Sequence, residues 1–250
     1  MSRLLAWVLR HGVDELGLRM RGDGYVPVDA LLARLGKRAR GIDNNRVRLI
    51  VKECPKQRFS LVEELAPDAA GGGGLMLFIR ANQGHTTAQV VAAELLLPIH
   101  TAVEAGSVVV HGTYLKYLAG PTGIAERGLN RMARHHVHFA SGLPGDDDVR
   151  SGMRPGCTLL VYLDAGAALA AGLKLFMSAN GVILCPGDAE GYVAPEFFLR
   201  VVNTQDGTEL PLPHHDAALV AVPAAPATPA TPATPAAPAA PAAPAFADHE

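Results

Sequence analysis

Apolar residues near the N-terminus recur at helical spacing. Leu5, Val8 and Leu9 lie at positions i, i+3 and i+4, which predicts a short amphipathic helix over residues 3–11. Gly12 follows this stretch and is suited to end the helix, because glycine accepts backbone conformations that other residues avoid. We therefore expect a helix with one face in a core and with its last polar residues near the surface.

Two more helices and a pair of strands complete the pattern of the first third of the chain. Helical spacing recurs over residues 27–36 and 43–53, where Asp29 and Asp43 are suited to an N-cap or a first turn. Two strand-like stretches, QRFSLVEE and LMLFIRA, then flank LAPDAAGGGG, which suits the tip of a hairpin. Three small helices followed by a hairpin is the element order of a winged helix, a common nucleic-acid-binding module. We predict a winged-helix lobe over residues 1–94.

The pattern changes to short strands at about residue 95. Five apolar stretches are bounded by Gly, Pro, Asp or Asn, namely SVVVHGT, HHVHFA, CTLLVYLD, LKLFMSAN and GVILCPG. They predict a mixed, mainly β second lobe over residues 95–203, so the expected fold class is α+β. Beyond it, a proline recurs at every third residue from Pro223 to Pro244, the spacing of polyproline II. We predict a disordered Pro/Ala/Thr-rich tail over residues 204–250, without a catalytic role.

Composition indicates a protein of the cell interior. The chain has 250 residues, 49% of them hydrophobic, which is enough for one large domain or two small ones with real cores. It has no uncharged apolar stretch of bilayer-spanning length, and its N-terminus lacks the pattern of a secretion signal. Its 3 cysteines have no CxxC spacing, which argues against a disulfide framework and a zinc cluster and fits a reducing compartment. We expect no membrane partner and an intracellular location, in the cytoplasm or the nucleus.

The charge of the chain is unevenly distributed. Residues 1–60 carry 13 Lys and Arg against 6 Asp and Glu, a net charge of +7. The other 190 residues carry 9 against 18, a net charge of −9. A basic piece joined to an acidic remainder suggests that the first part faces a polyanion. The alternative is that the arginines only solvate the surfaces of helices.

Four short clusters carry the candidate chemistry. They are LRHG with Arg10 and His11, KQRF with Arg58, HGTY with His111, and ARHHVHFASG with Arg134. None matches a P-loop, a Rossmann glycine fingerprint or a nucleophile elbow. The pair Arg10 and His11 has two interpretations, because cations at a helix C-terminus complement the helix dipole. The other interpretation is a guanidinium and an imidazole presented side by side to an anionic substrate.

The histidines of HHVH raise the question of a metal site. In a strand, His136 and His138 share one face while His135 points to the other. No nearby Cys or Glu-rich motif completes a ligand set, so we predict no metal and expect at least one of the pair to lie in the core or form hydrogen bonds. HGT after an apolar strand is more specific, since Gly112 lets a ligand approach the backbone closely. Its alternative is an ordinary turn with an incidental His111.

Several of these stretches occur together, in one order, in a known family. They are LRHG, DGYVPVDALL, KQRF, IRANQGH, HGTY, RHHVHFASG, SGMR and SANGVILCPG. The chain resembles the NAD-dependent RNA 2′-phosphotransferases of tRNA splicing from about Ser2 to Asn203, and IRANQGH and RHHVHFASG are the most specific motifs. The resemblance implies an N-terminal winged-helix RNA lobe and a C-terminal lobe like that of the ADP-ribosyltransferases, in agreement with the hydrophobic pattern.

The reaction that this resemblance implies removes an internal 2′-monophosphate from ligated RNA. The 2′-phosphate attacks the anomeric carbon of the nicotinamide ribose of NAD and expels nicotinamide, so the RNA is transiently ADP-ribosylated. The ribose 2″-hydroxyl then attacks the same phosphate. The products are RNA with a 2′-hydroxyl and ADP-ribose 1″,2″-cyclic phosphate, and no metal is required.

The resemblance also implies which residues act. The Arg-His-Arg-Arg catalytic set of the family falls on Arg10, His11, Arg58 and Arg134. The arginines are expected to hold the 2′-phosphate, and His11 to contact it and to act as acid or base in the second step. Residues implied for NAD binding are His111, Gly112, Thr113, His138, Ser141, Arg154 and Phe176. His136 is the alternative to His138, and Phe176 has a core position as its alternative.

Two other functions compete with this one. The first is an ADP-ribosyltransferase that caps terminal phosphates of nucleic acids and stops after the first step. The second is a non-catalytic winged-helix nucleic-acid-binding protein whose second lobe senses NAD or ADP-ribose, which would predict a damaged Arg-His-Arg-Arg set. That set is intact, so we expect an enzyme with NAD as co-substrate, RNA with an internal 2′-phosphate as partner, and a monomeric state.

Overall fold

The first apolar stretch forms a helix whose winding changes before it ends. In the computed structural model, which describes residues 1–65, 74–143 and 156–212, helix α1 (Ser2–Trp7) runs directly into a turn of π-helix (Val8–Gly12). The three apolar residues that predicted this helix are fully buried. The helix is confirmed, but its last turn is wider than predicted, and such π turns are frequent at functional sites.

The next two helices also agree with the pattern. Helix α2 (Val28–Leu35) has Asp29 in its first turn, and helix α3 (Asn44–Lys52) is capped by Asp43. The Oδ1 atom of Asp43 accepts a hydrogen bond of 2.7 Å from the backbone N–H of Arg46, which satisfies one of the unpaired donors at the helix start. Both predicted helices are confirmed to within about one residue at each end.

The predicted hairpin lies in a three-stranded antiparallel sheet. Its strands are β1 (Val26–Pro27), β2 (Phe59–Leu65) and β3 (Leu75–Ala81), in the order β1-β3-β2. The register of the hairpin runs from Phe59 opposite Ala81 to Leu65 opposite Leu75. The predicted tip at residues 66–73 lies outside the described residues.

A second, eight-stranded sheet forms the rest of the fold. It is antiparallel throughout, with the order β13-β12-β8-β5-β7-β10-β9-β4. Its strands are β4 (Leu97–Ile99), β5 (Val110–Thr113), β7 (Val137–Ala140), β8 (Leu159–Leu163), β9 (Leu175–Met177), β10 (Val182–Cys185), β12 (Phe198–Asn203) and β13 (Glu209–Leu210). The five strands predicted from the sequence are β5, β7, β8, β9 and β10, so the α+β class is confirmed.

Short elements connect these strands. The strands β6 (Leu129–Asn130) and β11 (Tyr192–Val193) form a separate antiparallel pair. The remaining helices are α4 (Ala92–Leu95), α5 (Ala102–Ala105), α6 (Ile124–Arg127) and α7 (Ala165–Ala170), with 3₁₀ turns at Gly36–Ala39, Leu115–Tyr117 and Pro195–Phe197. None of the helices in the described residues is long and apolar enough to span a bilayer.

The N-terminal helices share a core with one end of the large sheet. Val182 and Leu184 of β10 are buried in the same apolar cluster as α1, α2 and β3. A second apolar cluster fills the other face of the large sheet, around Phe139 and Phe198. The predicted boundary between residues 94 and 95 falls inside α4, and the division into a winged-helix lobe and an ADP-ribosyltransferase-like lobe stays a prediction.

The folded part extends beyond the predicted boundary at residue 203. Strand β13 pairs with β12, with Leu210 opposite Val201, and Leu212 packs into the core with 7% of its surface exposed. The connecting turn is closed by Asn203, whose side chain bonds the Asp206 carboxylate at 3.2 Å. A two-residue strand is too short to show alternation, which is why the sequence pattern missed it. Residues 213–250, with the proline-rich segment, lie outside the described residues.

Candidate active site

The π turn carries Arg10 and His11, and its end is packed tightly. A Cβ atom on Gly12 would lie 2.8 Å from a ring carbon of Trp7, so only glycine fits beneath that ring. Gly12 does not adopt a positive φ. It is therefore required for the close approach of Trp7 rather than for the left-handed helix end that the sequence suggested.

Arg10 is a deeply buried cation of the site. Its Nε atom is buried and has no hydrogen-bond partner in the part of the chain that the structure describes. Burial, reinforced by repulsion from Arg134 and Arg58, lowers the pKa of the guanidinium to about 10. The group stays protonated at neutral pH, and its environment favours binding of an anion.

The three arginines come from separate elements. Arg10 lies in the π turn, Arg58 directly precedes β2, and Arg134 lies in the turn before β7. Among the described residues, no carboxylate lies within ion-pair distance of Arg10 or Arg58. The Nη1 atom of Arg58 donates instead to the sulfur of Cys54 at 3.4 Å. Arg10 and Arg58 therefore lie close together without a matching acid among the described residues, an arrangement that suits a phosphate dianion.

One short segment, residues 82–86, contacts the π turn of Arg10, the residue Arg58 and the turn before β7. The backbone N–H of Asn82 donates to the Arg58 carbonyl at 2.8 Å. Gly84 supports the side chain of Arg10, since a Cβ atom there would lie 3.3 Å from the Arg10 Nε atom. The backbone N–H of Thr86 donates to the carbonyl of Arg10 at 2.9 Å. We call residues 82–86 the central segment.

His11 is held in one tautomer by Thr86. The two side chains are 3.1 Å apart, from Nδ1 to Oγ1, and the Thr86 hydroxyl also lies 3.3 Å from the Arg10 carbonyl. A carbonyl only accepts, so the hydroxyl donates to Arg10 and accepts from Nδ1–H of His11. Desolvation, with repulsion from Arg10 and Arg134, lowers the pKa of His11. The ring is therefore neutral at physiological pH, with Nε2 as its acceptor atom.

His111 lies where two central strands of the large sheet separate. Strands β5 and β7 pair only at Val110 opposite Ala140, and β5 pairs along its whole length with β8. The Nδ1 atom of His111 donates to the carbonyl of His138 at 2.7 Å, across the opening between the strands. Gly112 and Thr113 follow in the same strand, Gly112 buried and Thr113 half-buried.

His138 is fixed through both ring nitrogens. Nδ1 lies 3.0 Å from the carbonyl oxygen of His136, and Nε2 lies 2.8 Å from the side-chain oxygen Oε1 of Gln83. Burial lowers the pKa of His138 to about 3, so the ring carries a single proton. Both facing atoms are oxygens that accept, so this single proton serves one of the two contacts at a time.

The other predicted NAD residues are less concentrated. The Oγ atom of Ser141, directly after β7, donates to the carbonyl of Gly181 at 3.3 Å. Phe176 on β9 is half-buried and packs against the first core, with its ring edge-on to His136 at 5.8 Å between centroids. The histidine pair therefore lies in the fold's interior, as one interpretation of HHVH expected. Arg154 lies outside the described residues.

The stretch that contains this site matches the model of a known family. The match covers residues 1–187, and the family is described as RNA 2′-phosphotransferase, Tpt1 / KptA family. The chain belongs to this family. It is 44% identical over 203 residues to tRNA 2′-phosphotransferase 1 of Mus musculus, which covers 81% of this chain and 76% of the relative. It is 42% identical over 200 residues to the protein of the same name from Danio rerio, which covers 80% and 83%.

Bacterial members of the family are similar over the same region. A probable RNA 2′-phosphotransferase of Streptomyces griseus is 35% identical over 199 residues, which covers 80% of this chain and 94% of the relative. All residues that the sequence predicted for the site up to Phe176 lie inside the stretch that the family model matches.

Sequence reasoning missed the residues that assemble the site. Gln83 and Gly84 were quoted only as letters of IRANQGH, without a role, and Thr86 was not named, although each contacts a predicted site residue. The signal was present, because polar residues directly after a buried strand are frequent at sites. Gln83 is more than fifty residues away in the chain from its partner, and Gly84 and Thr86 are more than seventy away from theirs. Sequence spacing does not reveal pairs that are so far apart.

Proposed function

We propose that the protein removes the internal 2′-monophosphate from ligated tRNA by transferring it to NAD. The products are RNA with a 2′-hydroxyl, nicotinamide and ADP-ribose 1″,2″-cyclic phosphate, through an ADP-ribosylated RNA intermediate. Membership of the RNA 2′-phosphotransferase family supports the phosphate transfer from RNA. The use of NAD comes from the resemblance of the sequence motifs.

The cationic cluster is the observation that carries this proposal. Arg10 is buried with an unpartnered Nε, and the charges of Arg134 and Arg58 lower its pKa further. A bound dianion would remove this repulsion and supply the missing acceptor. Guanidinium groups bind phosphate oxygens in pairs, so the three arginines are suited to hold one phosphate through both steps.

In the first step, the arginines orient the RNA 2′-phosphate as nucleophile. One phosphate oxygen forms a bond to C1″ of the nicotinamide ribose, and the bond from C1″ to the nicotinamide nitrogen breaks, with its electron pair leaving on nicotinamide. The phosphate is already ionised, so this step needs no general base. The guanidinium groups fix the position of the phosphate. Restriction of the reactants' freedom is a large part of the barrier in such displacements, and the fixed phosphate has already lost this freedom.

In the second step, His11 handles the proton. Its Nε2 atom accepts the proton of the ribose 2″-hydroxyl as that oxygen bonds to phosphorus. The bond from phosphorus to the RNA 2′-oxygen breaks, and the imidazolium returns the proton to this leaving oxygen. The neutral ring with Nδ1–H on Thr86 is in the protonation state that this role requires.

The residues around His111 suit the nicotinamide ribose. The bond from Nδ1 to the His138 carbonyl fixes the imidazole of His111 beside the opening between β5 and β7, a position suited to contact a ribose hydroxyl. The separation of β5 and β7 after one residue pair gives a ligand access to backbone at Gly112 and Thr113. His138 uses both ring nitrogens within the protein, so its part would be to hold His111 through its carbonyl.

Stoichiometry of nicotinamide release tests the proposal. A short RNA with one internal 2′-phosphate is incubated with the protein and NAD, and nicotinamide and 2′-hydroxyl RNA are both quantified by chromatography. We expect one nicotinamide for each dephosphorylated RNA. Nicotinamide release without 2′-hydroxyl RNA would indicate the capping transferase instead. Neither product, with intact RNA binding, would indicate the non-catalytic binding protein.

Replacement of His11 by asparagine is expected to stop the reaction after its first step. Asparagine keeps one hydrogen bond but does not titrate, so the second step should slow by about 10²-fold or more while the first is affected less. Rapid-quench electrophoresis would then show ADP-ribosylated RNA accumulating in His11→Asn. Normal resolution of the intermediate would exclude His11 as the proton carrier.

Replacement of Gly84 by alanine is expected to displace Arg10. The new Cβ would lie 3.3 Å from Nε in a backbone with φ of +88°, so activity should fall about 10- to 100-fold. Gly106→Ala is the matched control, since Gly106 has φ of +87° and nothing within 4 Å of a Cβ. Both variants should lose similar stability in thermal unfolding, and only Gly84→Ala should lose activity. Equal activities would contradict the role of Gly84.

A further inference from the structure

Backbone strain is concentrated next to two of the site arginines. Among the described residues, the non-glycine positions with positive φ are Gln57, at 42°, and Met132, at 56°. Gln57 directly precedes Arg58, and Met132 lies two residues before Arg134. Side chains other than glycine adopt this conformation at a cost, and it persists only where the surroundings enforce it.

Three consecutive carbonyl groups around Gln57 are held from outside their own loop. The side-chain Nδ2 of Asn82 donates to the Gln57 carbonyl at 2.8 Å, and the backbone N–H of Asn82 donates to that of Arg58 at 2.8 Å. The Nδ2 atom of Asn180 donates to the carbonyl of Lys56 at 3.1 Å. Asn82 follows β3 of the small sheet and Asn180 precedes β10 of the large sheet, so both sheets restrain this loop.

The two asparagines are themselves fixed. Asn82 is 3% exposed and Asn180 is 7% exposed. Ser60 donates its hydroxyl to Oδ1 of Asn82 at 2.7 Å, and Oδ1 of Asn180 lies 3.0 Å from the Ser178 hydroxyl. Because the oxygen of each amide is engaged, its NH₂ group is directed to the loop. Buried groups satisfied in this way have little freedom to follow a relaxing backbone.

The turn before Arg134 uses the same kind of restraint. The backbone N–H of Met132 donates to Oδ1 of Asn130 at 2.6 Å. The guanidinium of Arg131 donates to the carbonyl of Arg134 at 3.1 Å. In both loops, an asparagine side chain bonds the strained residue that leads into an arginine.

We infer that Asn82, assisted by Asn180, is a positioning residue that holds Gln57 in its strained conformation and thereby directs Arg58 to the substrate phosphate. The part of this inference that concerns phosphate rests on the proposed function. The restraint on the loop does not depend on it. Asn82 touches no reacting atom and acts through Arg58.

A double-mutant cycle on RNA binding tests this role. The affinities of a short RNA with one internal 2′-phosphate and of the same RNA with a 2′-hydroxyl are measured by fluorescence anisotropy without NAD. The ratio of the two affinities should fall by about 10- to 100-fold in Arg58→Ala, since a charge-assisted hydrogen bond is lost. Asn82→Ala should lower this ratio at least tenfold. The double variant should differ from Arg58→Ala by less than threefold, because both changes remove the same interaction.

Asn203→Ala is the matched control for a buried asparagine. Asn203 is 8% exposed and bonds Asp206 in the turn between β12 and β13. This variant should lose stability and keep the full preference for phosphorylated RNA. An additive double variant, an unchanged ratio in Asn82→Ala, or an equal loss of preference in Asn203→Ala would each overturn the positioning role.

Amide hydrogen exchange separates this inference from the proposed function. The amides of residues 57 and 58 should exchange at least tenfold faster in Asn82→Ala than in the unmodified protein, and Asn203→Ala should not change them. Unchanged exchange of these amides would contradict the inference that Asn82 restrains the loop, even if the enzyme is active. If the unmodified protein shows no preference for phosphorylated RNA, the phosphate site fails, and exchange still decides whether Asn82 restrains the loop.

Discussion

Replacement of Arg10 by methionine is expected to lower the rate of phosphate transfer by about 10²- to 10³-fold while making the protein more stable. Arg10 is a deeply buried cation of the cluster, and in the proposed mechanism its loss removes a fixed donor to the charge that develops in both steps. The same burial and repulsion lower its pKa well below the usual value, to about 10, so the charged side chain destabilises the folded state below that pH. Methionine has a similar length and no charge.

The gain in stability follows from the size of the pKa shift. The lowering of the Arg10 pKa to about 10 corresponds to a destabilisation of about 3 kcal/mol, which is an upper bound on the stability that removal of the charge restores at neutral pH. We expect the free energy of unfolding to rise by about 1–3 kcal/mol in urea titrations. Arg19→Met, at an exposed position, is the control and should change neither activity nor stability.

Opposite changes in activity and stability are the signature of a site built for an anion. A variant that loses both would show that Arg10 is chiefly a packing residue. A variant that keeps its activity would remove Arg10 from the phosphate site. Added inorganic phosphate should stabilise the unmodified protein and have a smaller effect on Arg10→Met, because ligands stabilise only the state that binds them.

Acid is expected to unfold the protein in a steep transition between about pH 6.5 and pH 4. Burial lowers the pKa of His85 and of His138 to about 3 and that of His136 to about 4, well below the usual value of 6.5. Between pH 6.5 and pH 4, these three histidines are protonated in the unfolded chain and remain neutral in the folded chain. The folded state therefore loses stability as the pH falls through the unfolded pKa, by about 1.4 kcal/mol per pH unit for each histidine and about 4 kcal/mol per unit for all three.

Chemical denaturation at several pH values measures this slope. His136→Gln should reduce it by about 1.4 kcal/mol per pH unit, because the ring of His136 has no hydrogen-bond partner among the described residues and its removal leaves few other changes. Stability that stays constant from pH 6.5 to pH 4 would contradict the burial of neutral histidines.

The elements of the fold were largely predictable because they follow from local patterns. Apolar spacing predicted α1, α2 and α3. Short apolar stretches bounded by turn residues predicted β2, β3 and five adjacent strands of the large sheet, from β8 to β9 in the sheet order. The π turn was not predictable, since it changes the spacing by one residue and depends on the Trp7 ring over Gly12. Strand β13 was missed because two residues carry no periodic signal.

The candidate site was predictable in its charges and not in its construction. Arg10, Arg58 and Arg134 are recognisable in the sequence because they lie in basic clusters. The structure adds that the charges of Arg134 and Arg58 act on Arg10. The central segment was invisible as a connector, because hydrogen bonds of Asn82 and Thr86 join residues far apart in the chain. Strain at Gln57 has no sequence signal, since glutamine is not a residue that favours positive φ.

The most direct test of the central claim follows a labelled phosphate. A short RNA with one internal, radiolabelled 2′-phosphate is incubated with the full chain in chelator, with and without NAD, and the products are separated by electrophoresis and chromatography. The account predicts that the label moves to a small cyclic-phosphate product only when NAD is present, and that Arg10→Met abolishes most of this transfer. Label that stays on RNA under all conditions, or that is released as inorganic phosphate without NAD, would contradict it.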